Sequence, residues 1–282
     1  MKVKNQHFVP RFYLKQFGSK KDRVWVYDKD LKKSYSSRVN SIACEGYFYD
    51  DERLDKEKDK VQYLENLYSE IETNFAPYYN GFLESLYKSD RYEISHNDRS
   101  AIANYLVTQI DRTKEHREEA YQFTIEIYNQ LKERGFSQEQ LKQMGFENGN
   151  FDKKELHLES IITGNEMRDT LSEILCEHIW IIFKNDSSHS FYTSDHPLVK
   201  YGHIKDEMKS NEGYGSPGIE IAFPINPKYI LVMLDREYFN KFNLQENKVT
   251  KITSTDHVKY FNFLQVVSCY RQVFSESENF KI

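Results

Sequence analysis

The chain carries only 3 cysteines in 282 residues. Cys44, Cys176 and Cys269 are scattered and odd in number. They fit reduced, buried thiols better than a disulfide frame. No Cys-x-x-Cys pair occurs, so no structural zinc site is expected. Long apolar runs are also missing. The longest, Ile179 to Phe183 and Tyr229 to Leu234, fall far short of the roughly 20 residues a spanning helix needs. The mean hydropathy of −0.77 agrees. The start of the sequence has no charged-then-apolar leader. The expectation is a cytoplasmic protein with no membrane partner. An excess of positive charge is lacking too. Lys plus Arg number 39 against 44 Asp plus Glu, a net charge of −5. That argues against a general nucleic-acid coat, which would be basic, and leaves room only for a small basic cleft. Several chemical signatures are absent: the phosphate-binding Gly-x-x-x-x-Gly-Lys loop, His-Glu-x-x-His and Gly-x-Ser-x-Gly. No Gly-x-Gly-x-x-Gly follows a strand, and Gly213-Tyr214-Gly215-Ser216 is too loosely placed to cradle a phosphate.

Aromatics are what the chain has in quantity, with 21 Tyr and 19 Phe. Tyrosine at this level suits a core whose buried hydroxyls find partners. Base stacking is the competing use. The most informative stretch is Asn5-Gln6-His7-Phe8-Val9-Pro10-Arg11-Phe12-Tyr13-Leu14. Phe8, Val9, Phe12, Leu14 and Phe17 need burial, so this segment is expected to dock as an arm. Docking carries Gln6, His7 and Arg11 to the edge of the core, where a polar side chain needs a partner or a role.

The chain reads as α+β, with a helical block between an N-terminal arm and a C-terminal, mainly antiparallel sheet that ends in a helix. Residues 1–50 form the arm and a β unit, with Val24 and Val26 alternating and Lys32 to Tyr35 returning after a turn. Residues 61–176 form the helical block. Apolar residues from Leu64 to Leu86 recur at three and four, and Pro77 should kink or split that helix. Ser95 or Asn97 caps a second helix that runs to Arg134, where Gly135 stops it. Ser137 starts a short helix to Met144. Residues 147–150 form a loop, and Lys153 to Cys176 is helical with an interruption near Gly164. Residues 178–282 hold the sheet. His178 to Phe183 pairs with Phe191 to Thr193, and Ile219 to Phe223 and Tyr229 to Leu234 add two strands. Residues 203–217 are a polar loop, and the last helix spans Thr255 to Ser275. The whole is expected to be a single domain, residues 1–282.

Candidate site residues follow from position and type. On the second helix, Ile102, Tyr105, Leu106 and Gln109 share a face that continues to Arg112, Thr113 and His116. An apolar stripe turning polar on one face suggests a helix passing from core into a polar pocket. The alternative is a helix emerging into solvent. Thr193-Ser194-Asp195-His196-Pro197 ends a strand. Asp195 there is either a turn former binding backbone N–H groups or a partner for an imidazole. His7 is either a hydrogen-bonded core residue or a proton-transfer group with a suitable ordinary pKa. Arg11 would clamp a phosphate or pair with a carboxylate such as Glu115 or Asp195.

The His-Phe-Val-Pro segment, Tyr13-Leu14 and Phe17 together resemble the bacterial DUF4238 family, which has no assigned function. Val24-Trp25-Val26-Tyr27-Asp28, Phe48-Tyr49, Arg112-Thr113, Thr193-Ser194-Asp195-His196-Pro197, Phe223-Pro224-Ile225-Asn226-Pro227 and Asn262 match the same family in order. The family more often has Asn where His196 stands. The resemblance implies a fold outline and marked positions, and it favours a pocket at Arg112. By analogy it implies a defence or toxin setting.

Two function classes follow. The first is a metal-independent, cofactor-free phosphodiester-cleaving enzyme acting on RNA. His7 would be the acid or base, Arg112 and Arg11 would stabilise the transition state, and Asp195 would orient His7. Gln6 or Thr113 would hold a non-bridging oxygen, with His116 also on the substrate side. This set converges only if the arm packs across the second helix and the exit of the Tyr192 strand. The second class is a non-catalytic binding or regulatory module, working through a partner. There His7, Arg112 and Asp195 form a buried network that pins the arm. A weaker third option is a metal-dependent hydrolase using His7, His116, Asp195 and His196, for which no local ligand spacing argues.

Overall fold

The computed structural model describes residues 2–19, 21–146, 149–205 and 212–280. The chain opens with strand β1 (Asn5–His7) and helix α1 (Arg11–Leu14). β2 (Arg23–Asp28) and β3 (Lys33–Arg38) form a hairpin, and β4 (Cys44–Gly46) returns to pair with β1. The helical block is α2 (Glu52–Glu57), α3 (Tyr63–Lys88), α4 (His96–Asp111), α5 (Lys114–Glu133), α6 (Gln138–Gln143), α7 (Lys153–Thr163) and α8 (Asn165–Glu177). Strands β5 (Ile179–Asn185), β6 (Thr193–Ser194), β7 (Val199–Gly202), β8 (Ile219–Asn226), β9 (Tyr229–Leu234) and β10 (Val249–Ile252) follow. Helix α9 (Thr255–Ser268) and strand β11 (Gln272–Ser275) close the chain. The architecture is α+β, as the sequence pattern implies.

Two sheets organise the C-terminal part. One has the order β10-β5-β9-β8-β7 and is antiparallel except for the parallel β10–β5 pair. The other is antiparallel with the order β3-β2-β11-β6. The N-terminal hairpin and the last strand therefore share one sheet. β9 and the first five residues of β5, Ile179 to Phe183, are apolar because both faces are covered. Trp180, Ile182, Leu231 and Met233 join the core shared with the arm and helices, while Ile179, Ile181, Ile230 and Val232 pack with Val258 and Leu264 of α9.

The structure departs from the sequence reading at five places. The second helix is two helices. Arg112 caps the end of α4, and Thr113, with extended backbone (φ −85°, ψ 159°), starts α5 by accepting a hydrogen bond from the His116 N–H. β5 pairs with β9 and β10, not with residues 191–193; Thr193 and Ser194 pair with β11 in the other sheet. The last helix stops at Ser268 because residues 272–275 are recruited as β11. β8 continues through Pro224 to Asn226, with an irregular register there. Finally, α3 runs unbroken past Pro77. Of the two loops, residues 147–148 and 206–211 lie outside the described residues. Ser95 is the cap of α4, and both Ser95 and Ser137 form capping boxes. Gly164 separates α7 from α8.

Pro77 is exposed and lacks the N–H that would bond the Thr73 carbonyl one turn back. Packing of the face carrying Tyr68, Phe75 and Tyr79 holds the helix through the defect. Pro77→Ala is therefore expected to raise stability. A proline costs a helix interior about 3 kcal/mol, and the freer unfolded chain returns about 1 kcal/mol of that. A urea melt should show a gain of about 1 to 2 kcal/mol after both effects.

Candidate functional site

The arm docks as its composition demands. Phe8, Val9, Tyr13, Leu14 and Phe17 are buried. The Tyr13 hydroxyl donates to the Pro224 carbonyl at 2.7 Å and meets Thr193 Oγ1 at 2.6 Å. Gln6 is fully buried; its Nε2 donates to Asp50 Oδ1 at 2.5 Å and its Oε1 accepts from the Tyr49 N–H at 2.6 Å. Gln6 thus fixes the Phe48-Tyr49-Asp50 segment to the arm.

The end of α4 holds the arm by its carbonyls. Gln109 Nε2 donates to the Phe8 carbonyl at 2.9 Å. Arg112 Nη2 donates both to the His7 carbonyl and to Glu72 Oε1, each at 2.7 Å. The guanidinium lies over the Tyr68 ring, 4.6 Å from its centroid, and the Arg112 carbonyl accepts from the Tyr49 hydroxyl at 2.8 Å. Arg112 is only 2% exposed. Burial opposes its charge, but the Glu72 carboxylate paired with it helps to keep it ionised. Glu65, one helical turn before Tyr68, is pushed up to about 7 by burial, with Arg112 opposing and Glu72 and Asp50 adding to the shift.

Burial lowers the His7 imidazole to about 4. A backbone hydrogen bond to Val39 works against this, and the charges of Arg11 and Arg112 reinforce it. His7 is neutral at pH 7. Among the described residues its buried Nε2 has no hydrogen-bond partner, and the same holds for Arg112 Nε, Gln109 Oε1 and the hydroxyls of Tyr68 and Tyr105. These five atoms come from the arm, α3 and the final turns of α4.

Asp195 faces elsewhere. Its Oδ1 accepts from the Tyr270 N–H at 2.9 Å, and its Oδ2 accepts from Arg271 and Gln272 N–H groups at 2.8 Å. Both carboxylate oxygens are engaged with the turn between α9 and β11, so Asp195 does not orient His7. Burial pushes the carboxyl up to about 7, and the three amides pull against it. Thr113 Oγ1 sits 3.4 Å from Nδ1 of His196, whose imidazole burial lowers to about 3. Arg11 is exposed at the start of α1, where its charge reaches His7. The required arm packing across α4 and Thr193 is thus present. The three proposed catalytic side chains still do not converge.

His116 opens onto a cleft of about 640 Å³ between α4, α5, α7 and α8. Its Nε2 lies 3.3 Å from Ser160 Oγ, and that hydroxyl donates to the His157 carbonyl at 2.7 Å. Asp111 at the rim pairs with Arg168 at 2.9 Å. Ile110, Leu171 and Tyr214 give the cleft an apolar wall. Tyr214 belongs to Gly213-Tyr214-Gly215-Ser216-Pro217-Gly218, which spells the dinucleotide pattern literally. It leads into β8 rather than opening a helix, so it makes no phosphate cradle. Gly218 serves packing: at φ +74°, an added Cβ would meet Ile204 at 2.7 Å.

Sequence reasoning put Tyr105 on the face that leads to Arg112 but missed Glu72 and Tyr68 as parts of the Arg112 cluster. The signal was the spacing of Glu65, Tyr68, Glu72 and Phe75, which puts two carboxylates on the apolar face of α3. Among the described residues, no group of three or more His, Cys, Asp or Glu side chains is placed to hold a metal ion, and no helix is long and apolar enough to cross a membrane.

The fold and the docked arm define an α+β protein organised around a buried arginine. Residues 5–279 match the family described as protein of unknown function, DUF4238, and the chain belongs to that family. No curated protein and no solved structure shows significant similarity to it.

Proposed function

We propose that the protein is a binding or regulatory module whose framework is the His7–Arg112–Asp195 set and whose ligand enters the His116 cleft. One observation carries this reading. Arg112 and Asp195 are each 2% exposed; Arg112 Nη2 is spent on the His7 carbonyl and Glu72, and both Asp195 carboxylate oxygens are spent on backbone N–H groups. Such groups hold walls in place. An apolar cleft with a few convergent polar groups is the usual form of a small-ligand site, and His116 and Ser160 supply those groups here.

The phosphodiester-cleaving reading, with RNA as substrate and a defence or toxin role, is the second proposal. The unpartnered Nε2 of His7 favours it, since a neutral imidazole with a free lone pair can accept a proton. Without Asp195 to orient it, His7 would act with Arg112 alone.

Paired melting curves and RNA-cleavage assays on wild type and His7→Ala separate the two. The module reading expects no cleavage by either protein, and a stability loss of about 1 to 3 kcal/mol in the variant. Cleavage by wild type that disappears in His7→Ala at an unchanged melting temperature would overturn it in favour of the enzyme.

A further inference from the structure

A second surface lies on the side of the molecule where the arm meets the starts of α5 and α7. Two recesses, of about 410 and 150 Å³, share Lys114 and Tyr270 in their walls. In the larger recess four cations, Lys114, Arg117, Lys153 and Lys154, face three carboxylates, Glu45, Glu118 and Asp152, and Lys153 is paired with Glu118. Lys114 Nζ lies 2.6 Å from Glu45, and Arg117 reaches the same carboxylate at 3.6 Å, so two positive charges share one negative charge. Lys154 donates to a carbonyl, that of Tyr47, at 2.8 Å. A carbonyl bond carries no counter-charge, and the carboxylates that act on this ammonium, Asp50, Asp51 and Asp152, make no ion pair with it among the described residues. Burial, with Arg117 reinforcing it and Asp50, Asp51 and Asp152 opposing it, holds that ammonium below its ordinary value. Tyr270 presents an aromatic ring that is 41% exposed, with Lys114 Nζ 5.7 Å from its centroid. On a chain of net charge −5, this local excess of cations beside an open ring stands out.

We propose that this groove binds a nucleotide phosphate, with Lys114, Arg117 and Lys154 on the phosphate and Tyr270 stacked on the base. A phosphate has the negative charge and the acceptor oxygens that Arg and Lys recognise, and every base has a face that an exposed ring can cover. The carboxylate of Glu45 is 43% exposed and is free to swing into water when a phosphate replaces it. The inference goes beyond the cleft reading and does not rest on it. The groove and the cleft use different walls, so either can fail alone.

The test is fluorescence anisotropy at low salt, with a labelled short single-stranded RNA as probe and AMP as competitor. Wild type is expected to bind saturably, and displacement by AMP assigns the site to a single nucleotide rather than to a strand. The paired variant Lys114→Gln with Lys154→Gln should weaken binding about tenfold or more, and should flatten the slope of log affinity against log salt by about 0.7 for each strand phosphate released. Tyr270→Ala should weaken it about fivefold or more. Lys184→Gln, at the distant Asp90 pair, should change nothing. Melting curves establish that each variant is folded. No saturable binding of either probe to wild type would overturn the proposal, and so would binding that the groove variants leave unchanged.

Discussion

Arg112→Ala is expected to lose about 3 to 5 kcal/mol of stability, because it breaks a buried ion pair from one side. The guanidinium makes three kinds of contact at once: a charge-assisted bond to the His7 carbonyl, a bond to Glu72, and a face contact with Tyr68. Alanine removes all three and leaves a cavity where a side chain that is 2% exposed had stood. It also leaves the His7 carbonyl without its donor. Glu72 is 25% exposed and can regain water, which tempers the loss. Arg112→Met should therefore cost clearly less than alanine, since it fills the space and strands only a carboxylate that solvent can reach. Urea melts of both variants give the ordering. A protease series should show the arm cut first in Arg112→Ala, because of the two α4-end side chains that hold its carbonyls only Gln109 would remain. An alanine variant as stable as wild type would remove Arg112 from the framework and strengthen a catalytic role for it.

The legible parts of this protein are those governed by short-range rules. Helix starts were marked by Ser95 and Ser137, whose side chains bond their own helix N-termini. The arm was marked by its need for burial, which no solvated segment with Phe8, Val9, Leu14 and Phe17 could meet. The illegible parts depend on distant partners. Residues 272–275 read as helix because nothing local says that Val24 to Asp28 will recruit them into a sheet. The break at Arg112 and Thr113 was masked because the apolar period continued across it. Thr113 is a preferred N-cap, and its capping role outweighed the period. The site shows the same division. His7 and Arg112 were drawn together through a backbone carbonyl, not through side chains, so residue type could not reveal the contact. The competing turn reading of Asp195 fits its geometry, because three amide donors in one turn offer a carboxylate more than a single imidazole would.

Asp195→Ala is expected to cost about 3 kcal/mol or more, on the scale of about 1.5 to 3 kcal/mol for each hydrogen bond to a charged group, discounted because the freed amides can partly rehydrate. Its carboxylate closes a ring of contacts. The Asp195 N–H donates to the Gln272 carbonyl at 2.9 Å, while its Oδ2 accepts from the Gln272 N–H. That ring sets the register in which Ser194 meets Val273, and β11 in turn joins β6 to β2. Loss of Asp195 should therefore loosen the four-stranded sheet at its β6 edge. Hydrogen exchange of the amides of residues 270–273 should accelerate well beyond that of the α4 amides. Asp195→Asn is the informative companion. It keeps the volume but turns one acceptor into a donor that points at amide N–H groups, so it should also be clearly destabilised. An asparagine variant with wild-type stability and exchange rates would mean that the carboxylate charge is not needed by the fold. Asp195 would then have to be retained for a ligand that reaches the small recess it lines beside Lys114 and Phe8.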